Sequence, residues 1–160
     1  MQDGTRTNVR IVDWDESYGD AFGRLNREWL EKYFRVEDVD LPVLDDPCSN
    51  IIDHGGFVLY AIVDGEAVGT AALKHQGEGV FELTKMAVTK AHQGKGLGRQ
   101  LLCASIARFD EIAGRRLYLE SNSRLGPALA LYQSAGFSHE SPPEASEYDR
   151  ADVYMVYRPD

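Results

Sequence analysis

The sequence lacks most of the features that announce a function. Two cysteines, Cys48 and Cys103, stand in 160 residues without motif spacing, which removes a disulfide framework and suits a reduced, cytoplasmic protein. Four histidines, His54, His75, His92 and His139, are scattered without ligand spacing, so no metal site is expected, and His92 reads as a solvated loop residue. No apolar run approaches the length of a membrane span, and residues 1–7 are polar with no signal-peptide core. Basic residues are in the minority: 17 Lys+Arg against 26 Asp+Glu give a net charge of −9, which argues against a nucleic-acid binder working through a basic surface. The acidic balance serves solubility and mildly favours cationic ligands such as amines. A P-loop pattern is absent. Gly94, Gly96 and Gly98 are spaced by two, and Arg99 stands where a dinucleotide fingerprint needs its third glycine. There are no internal repeats, linkers or low-complexity segments. The length fits one domain over residues 1–160, with enough chain to bury a core.

What is present centres on residues 82–113. Glu82-Leu83-Thr84-Lys85-Met86-Ala87-Val88 reads as a strand, and Gln93-Gly94-Lys95-Gly96-Leu97-Gly98 as a glycine-rich turn opening a helix over 97–113. On that helix Leu101, Leu102, Ser105, Ile106, Phe109, Ile112 and Ala113 fall on one side, while Gln100, Asp110 and Glu111 fall on the other. A strand that runs through glycines into a helix start leaves backbone N–H groups converging without intrahelical partners. The helix dipole adds positive character there, so an anion such as a phosphate can be held with few basic side chains.

The remaining elements follow from periodicity and turn chemistry. Residues 9–14 alternate as a first strand, and 18–34 form a helix with Phe22, Leu25, Trp29 and Phe34 about a turn apart and Ser17 as its cap. The acidic stretch 36–46, with Pro42, carries no assigned element. Asp46 caps a short helix to about residue 53, with Pro47 in its first turn and Gly55-Gly56 at its end. Strands over 57–63 and 67–75 make a hairpin about Asp64-Gly65, and 80–88 is the fourth strand. A strand at 117–120, a helix over 127–135 and strands at 137 and 151–157 complete the order β-α-α-β-β-β-α-β-α-β-β. The loop 138–150, rich in Pro, Ser and Glu, is expected to be mobile.

The motifs together resemble the GNAT superfamily of acyl-CoA N-acyltransferases. Gln93-Gly94-Lys95-Gly96-Leu97-Gly98 is similar to the family's Gln/Arg-x-x-Gly-x-Gly/Ala pyrophosphate turn. The strand before it carries Met86-Ala87-Val88, a second strand Leu117-Tyr118-Leu119-Glu120-Ser121-Asn122 follows the helix, and Leu131-Tyr132 to Gly136-Phe137 gives the Leu-Tyr-x-x-x-Gly-Phe ending. The resemblance covers residues 82–137, about half the chain. It implies an α+β fold: a central, mostly antiparallel sheet whose fourth and fifth strands splay apart, with helices on both faces. It also implies an N-acetyltransferase joining acetyl-CoA to a primary amine of a small molecule or peptide, with no metal, nucleic acid or membrane partner.

The residue roles that the resemblance implies are these. Main-chain groups of Met86 and Val88, with Ala87 between, pair with the pantetheine arm as an added strand would, and the Met86 N–H faces the thioester carbonyl. Amides of Gln93, Gly94, Lys95, Gly96, Leu97 and Gly98 hold the pyrophosphate, with Lys95 and Arg99 as charge partners. Asn122 either reaches the pantetheine arm or ends its strand in a turn. Tyr132 is either the general acid toward the CoA sulfur or an ordinary helix tyrosine; a phenol with a pKa near ~10 is protonated at neutral pH and can donate. Glu82, four residues before Met86, either takes the amine proton or pairs with Lys85, and Glu28 and Glu120 are further candidates for the base. Asn26, Glu28 and Trp29 on the first helix are candidates for the acceptor wall, with Trp29 as core the alternative. A homodimer through exposed terminal strands is open, as is a catalytically silent acyl-CoA sensor on the same fold.

Overall fold

The computed structural model describes residues 8–159. One seven-stranded sheet runs β1 (Val9–Asp13), β2 (Phe57–Val63), β3 (Glu66–His75), β4 (Val80–Val88), β5 (Arg116–Ser121), β7 (Val153–Tyr157) and β6 (Phe137–His139), in that spatial order. Every neighbouring pair is antiparallel except β4 and β5, which run parallel. That exception follows from the connection: β4 reaches β5 through a full helix, α4 (Leu97–Glu111), as a parallel crossover requires.

Helices cover both faces, and the alternation of side chains along β2 shows why. Val58, Tyr60 and Ile62 point into one apolar cluster with Phe22, Leu25 and Leu30 of α1 (Gly19–Tyr33) and with Val43, Leu44 and Ile51. Leu59 and Ala61 point the other way, into a cluster with Leu101, Leu102 and Phe109 of α4. A strand buried on both faces needs the near-continuous apolar run that β2 has. Side chains such as Phe22 and Leu101, fully removed from water, contribute about 1.5–3 kcal/mol each to that burial.

Several expectations need correction. Ser17 does not cap α1: Asp15 caps a short 3-10 turn by accepting from the Ser17 amide, and α1 starts behind Tyr18 without a side-chain cap. The acidic stretch is not featureless, since a 3-10 turn at Asp38–Asp40 leads directly into α2 (Leu41–Asp45), with Pro42 tolerated in its first turn. The order therefore gains a helix before α3 (Pro47–Asn50), whose cap is Asp46 as expected. Helix α4 stops at Glu111; Ile112 is exposed and Ala113 turns left-handed (φ 53°), so neither joins the buried face. Helix α5 (Gly126–Ser134) leads into β6.

Candidate active site

The site originates in a disagreement between two strands. Parallel pairing of β4 with β5 lasts from Val80 opposite Arg116 to Leu83 opposite Leu119 and stops there. Beyond that point β4 stays with β3, as far as Gly69 opposite Val88, while β5 stays with β7, as far as Ser121 opposite Val153. The sheet parts, and a cleft of about 100 Å³ opens between them.

An irregularity in β4 sharpens the parting. Thr70 faces Ala87 but Ala72 faces Thr84, so β4 carries an extra residue against Ala71. Lys85 sits at this bulge with φ 55°, unusual for a side chain with a Cβ. The extra residue shifts the alternation: Phe81 and Leu83 belong to the α4-side cluster, and after the bulge Met86 and Val88 pack there instead.

Around the cleft the structure brings together Asn26 and Trp29 from α1, Glu82, Lys85 and Met86 from β4, Asn122 after β5, and Tyr132 from α5. Glu82 is buried on the floor, where its Oε1 accepts from Gln76 Nε2 at 3.2 Å. Burial, reinforced by the Glu120 charge, pushes its pKa up from 4.5 to about 7. The alternative of a Glu82–Lys85 ion pair does not form, because Lys85 Nζ turns to Asp40 Oδ1 at 2.9 Å. Tyr132 lines the cleft with its ring edge-on to Phe137, and burial raises its phenol to about 12, so it carries a proton throughout the neutral range. Asn26 spends its side-chain N–H on the Phe22 carbonyl (2.9 Å), and Trp29 packs on the α1-side core while facing the cleft. Asn122 does what a turn residue does, accepting from the Arg124 amide at 2.8 Å, and its Nδ2 donates to the Arg150 carbonyl at 2.7 Å.

Glu28 is placed elsewhere. It does not line the cleft; its carboxylate accepts from Thr89 Oγ1 at 2.9 Å and from the Lys90 amide at 2.9 Å. It thereby ties α1 to the chain leaving β4, ahead of the glycine turn. The turn itself is stapled to that strand by Gln93 Nε2, which donates to the Val88 carbonyl at 2.9 Å. Gly94 and Gly96 adopt left-handed φ of 78° and 83°, and a Cβ on either would meet nothing within 4 Å. The protein leaves that space free, and the backbone there can approach a ligand closely. Gly96 is the N-cap of α4 and offers no side chain to its first amides. His92 is half-exposed, with its Nδ1 buried and without a hydrogen-bond partner among the described residues.

Some residues of the site were not singled out in advance. Asp40 is fully buried, and Arg150 holds both its oxygens, Nη1 to Oδ2 and Nη2 to Oδ1, each at 2.8 Å. Burial alone would raise the Asp40 carboxyl, but the hydrogen bonds from Arg150, the Lys85 charge and the Glu37 amide hold it well below the usual carboxylate range. The Lys85 pKa also moves down, but from burial, with Asp40 acting against that. Tyr148 lies 3.2 Å from Lys85 Nζ, with Lys85 and Arg150 both over its ring. Glu37 accepts from the Asp149 amide at 2.8 Å and from Arg150 at 3.0 Å. The later half of the loop 138–150 is therefore fastened rather than mobile. The only hint in the sequence was Lys85 within the strand 80–88.

A mixed sheet parted between its two parallel strands, with a glycine turn and an open helix N-terminus beyond the gap, has the architecture of the acyl-CoA N-acyltransferases. The model of the acetyltransferase (GNAT) family matches residues 16–137, and the chain belongs to that family and is an acyltransferase. It is 30% identical over 126 residues to YjgM of Escherichia coli K12, an uncharacterised N-acetyltransferase, covering 74% of this chain and 75% of that one. An acetyltransferase of the GNAT family from Staphylococcus aureus Mu50 shares the fold with a TM-score of 0.84 at 21% identity, over 96% of this chain and 100% of its own. The structure of yncA from Salmonella typhimurium with its cofactor acetyl-CoA gives a TM-score of 0.73 at 23% identity, over 96% and 95%. Among the described residues no helix is long and apolar enough to cross a membrane.

Proposed function

We propose that the protein, acting as a single domain, moves an acetyl group from acetyl-CoA to a primary amine, with both bound together. The observation that carries this reading is the cleft between β4 and β5, where a carboxylate with a pKa of about 7 and a protonated phenol face the same space. Space for the donor is consistent with the free volume in front of Gly94 and Gly96 and with the β4 edge left unpaired beyond Leu83. Amides of Gln93, Gly94, Lys95, Gly96, Leu97 and Gly98 would hold the pyrophosphate, with Lys95 and Arg99 nearby. The edge at Met86, Ala87 and Val88, together with Asn122, would hold the pantetheine arm.

Bound acetyl-CoA supplies an acetyl group activated as a thioester. Glu82, ionised in about half the molecules near neutral pH, takes the proton from the acceptor's ammonium and frees the nitrogen lone pair for the new C–N bond. The Met86 N–H stabilises the carbonyl oxygen as charge builds there. Tyr132 gives its proton to the sulfur as the C–S bond breaks, so CoA leaves as a thiol, and the second proton that the nitrogen sheds on becoming a neutral amide restores the phenol. Asn26 and Trp29 form one wall for the acceptor. The test is a screen of amine acceptors with acetyl-CoA, read as free thiol release. Acceptor-dependent release is expected; CoA binding without release on any amine would favour a silent acyl-CoA sensor instead.

A further inference from the structure

Both cations that face the cleft are already spent. Lys85 is paired with Asp40, and Arg150 with Asp40 and Glu37, in a buried network whose two positive and two negative charges cancel. What remains uncompensated is Glu82 on β4 and Glu120 on β5. Among the described residues neither lies within ion-pair distance of any Lys, Arg or His. Glu120 is half-buried, and its one recorded partner is the Ser146 hydroxyl, which donates to Oε1 at 3.0 Å. It lines the cleft and also an adjoining groove under residues 143–148.

The charges in that groove do not alter the balance in favour of an anion. Lys74, Arg115 and Arg116 stand there against Glu82, Glu120, Glu144 and Glu147; Arg116 donates to the Tyr154 hydroxyl (2.6 Å) while its Nε is buried without a partner among the described residues, and Arg115 donates to the Glu78 carbonyl (2.9 Å). Glu82 lies opposite Tyr118, so Glu120 sits two residues further along β5, toward the parting of the strands. Strand spacing and rise put the two Cα atoms about 8 Å apart.

We infer that the acceptor is a small amine with a second cationic centre: one amine is presented to Glu82 while Glu120 holds the other as an ammonium. This rests on the acetyl-transfer reading above. Once Glu82 has taken its proton, Glu120 is still a half-buried negative charge, and a second ammonium on the same molecule compensates it. An acceptor carrying a carboxylate would face Glu120 in a cleft whose two lining cations, Lys85 and Arg150, are committed to Asp40 and Glu37.

Three four-carbon amines test this with acetyl-CoA on the intact protein: putrescine, butylamine and γ-aminobutyrate. Putrescine should exceed butylamine in kcat/KM by about 10–100-fold, the factor that a charge-assisted hydrogen bond to a half-buried carboxylate supplies, with γ-aminobutyrate poorest. In Glu120→Gln that advantage should vanish, so that putrescine and butylamine become equivalent. A ratio of two amines on one variant is insensitive to general damage. Butylamine or γ-aminobutyrate matching putrescine in the wild-type protein would overturn the inference and leave acetyl transfer standing, as would a preference untouched by Glu120→Gln. Turnover of none of the three also overturns it, and titration with CoA then judges the transferase reading separately.

Discussion

Replacing Glu82 with Gln should make the protein more stable and less active at once. In the folded chain Glu82 keeps its proton up to about pH 7, against 4.5 for the ordinary carboxyl. Between those values the folded state binds more protons than the unfolded state, so stability falls as pH rises. The cost is absent below about pH 4.5 and complete above about pH 8. At roughly 1.4 kcal/mol per pH unit it is on the order of 3 kcal/mol. Glutamine cannot ionise, keeps the shape, and can still accept from Gln76 as Glu82 does. Denaturant titrations should therefore show wild type and Glu82→Gln nearly equal near ~pH 4.5 and the variant ahead by about 3 kcal/mol near ~pH 8. In thermal melts that gap corresponds to roughly 6–12 °C for a chain of this size. The rate should move the opposite way: a fall of about 10²–10⁴-fold at neutral pH, partly relieved at high pH where the free amine predominates. Equal stability at every pH together with wild-type rates would refute both the strained burial of Glu82 and its role as base, and the base would then be sought elsewhere.

Other perturbations separate the remaining parts of the site. Tyr132→Phe keeps the ring against Phe137 and removes only the hydroxyl, so turnover should drop at least ~10-fold with acetyl-CoA affinity little changed, as kinetics and calorimetry would show. Gly98→Val tests the pyrophosphate turn more cleanly than a change at Gly96, where φ of 83° would add backbone strain. A Cβ at Gly98 meets only Leu131 at 3.9 Å, so calorimetric CoA affinity should fall about tenfold or more with little loss of stability. Asp40→Ala leaves Lys85 buried without its counter-charge and Arg150 with Glu37 alone, and should cost about 3–5 kcal/mol by denaturant unfolding. In the wild-type protein the stability that Asp40 supplies is present above the usual carboxylate range and drains as the pH falls below it.

The sequence by itself determined most of the elements and the family, because both are written in local patterns. The apolar run 57–63, the turn at Asp64-Gly65, the strand 80–88 and the glycines before α4 each encode a conformation within a few residues, and all are found where expected. Glu82 and Tyr132 were legible too, as positions fixed relative to Met86 and to the Gly136-Phe137 ending, and the structure sets both on one cleft. Tertiary structure alone decided the rest. Asp40, Lys85, Tyr148 and Arg150 come from three segments up to 110 residues apart, and each by itself reads as a solvated charge or loop residue. Only the bulge at Lys85, which breaks the two-residue alternation, and the turn into α2, which buries Asp40, bring them together. Glu28 shows the converse. Its place on α1 suggested the acceptor wall, but a helix face is aimed by packing, and packing aims this one at Thr89 and Lys90. Charge compensation in the cleft depends on contacts between distant segments, so it could be read only once the chain had folded.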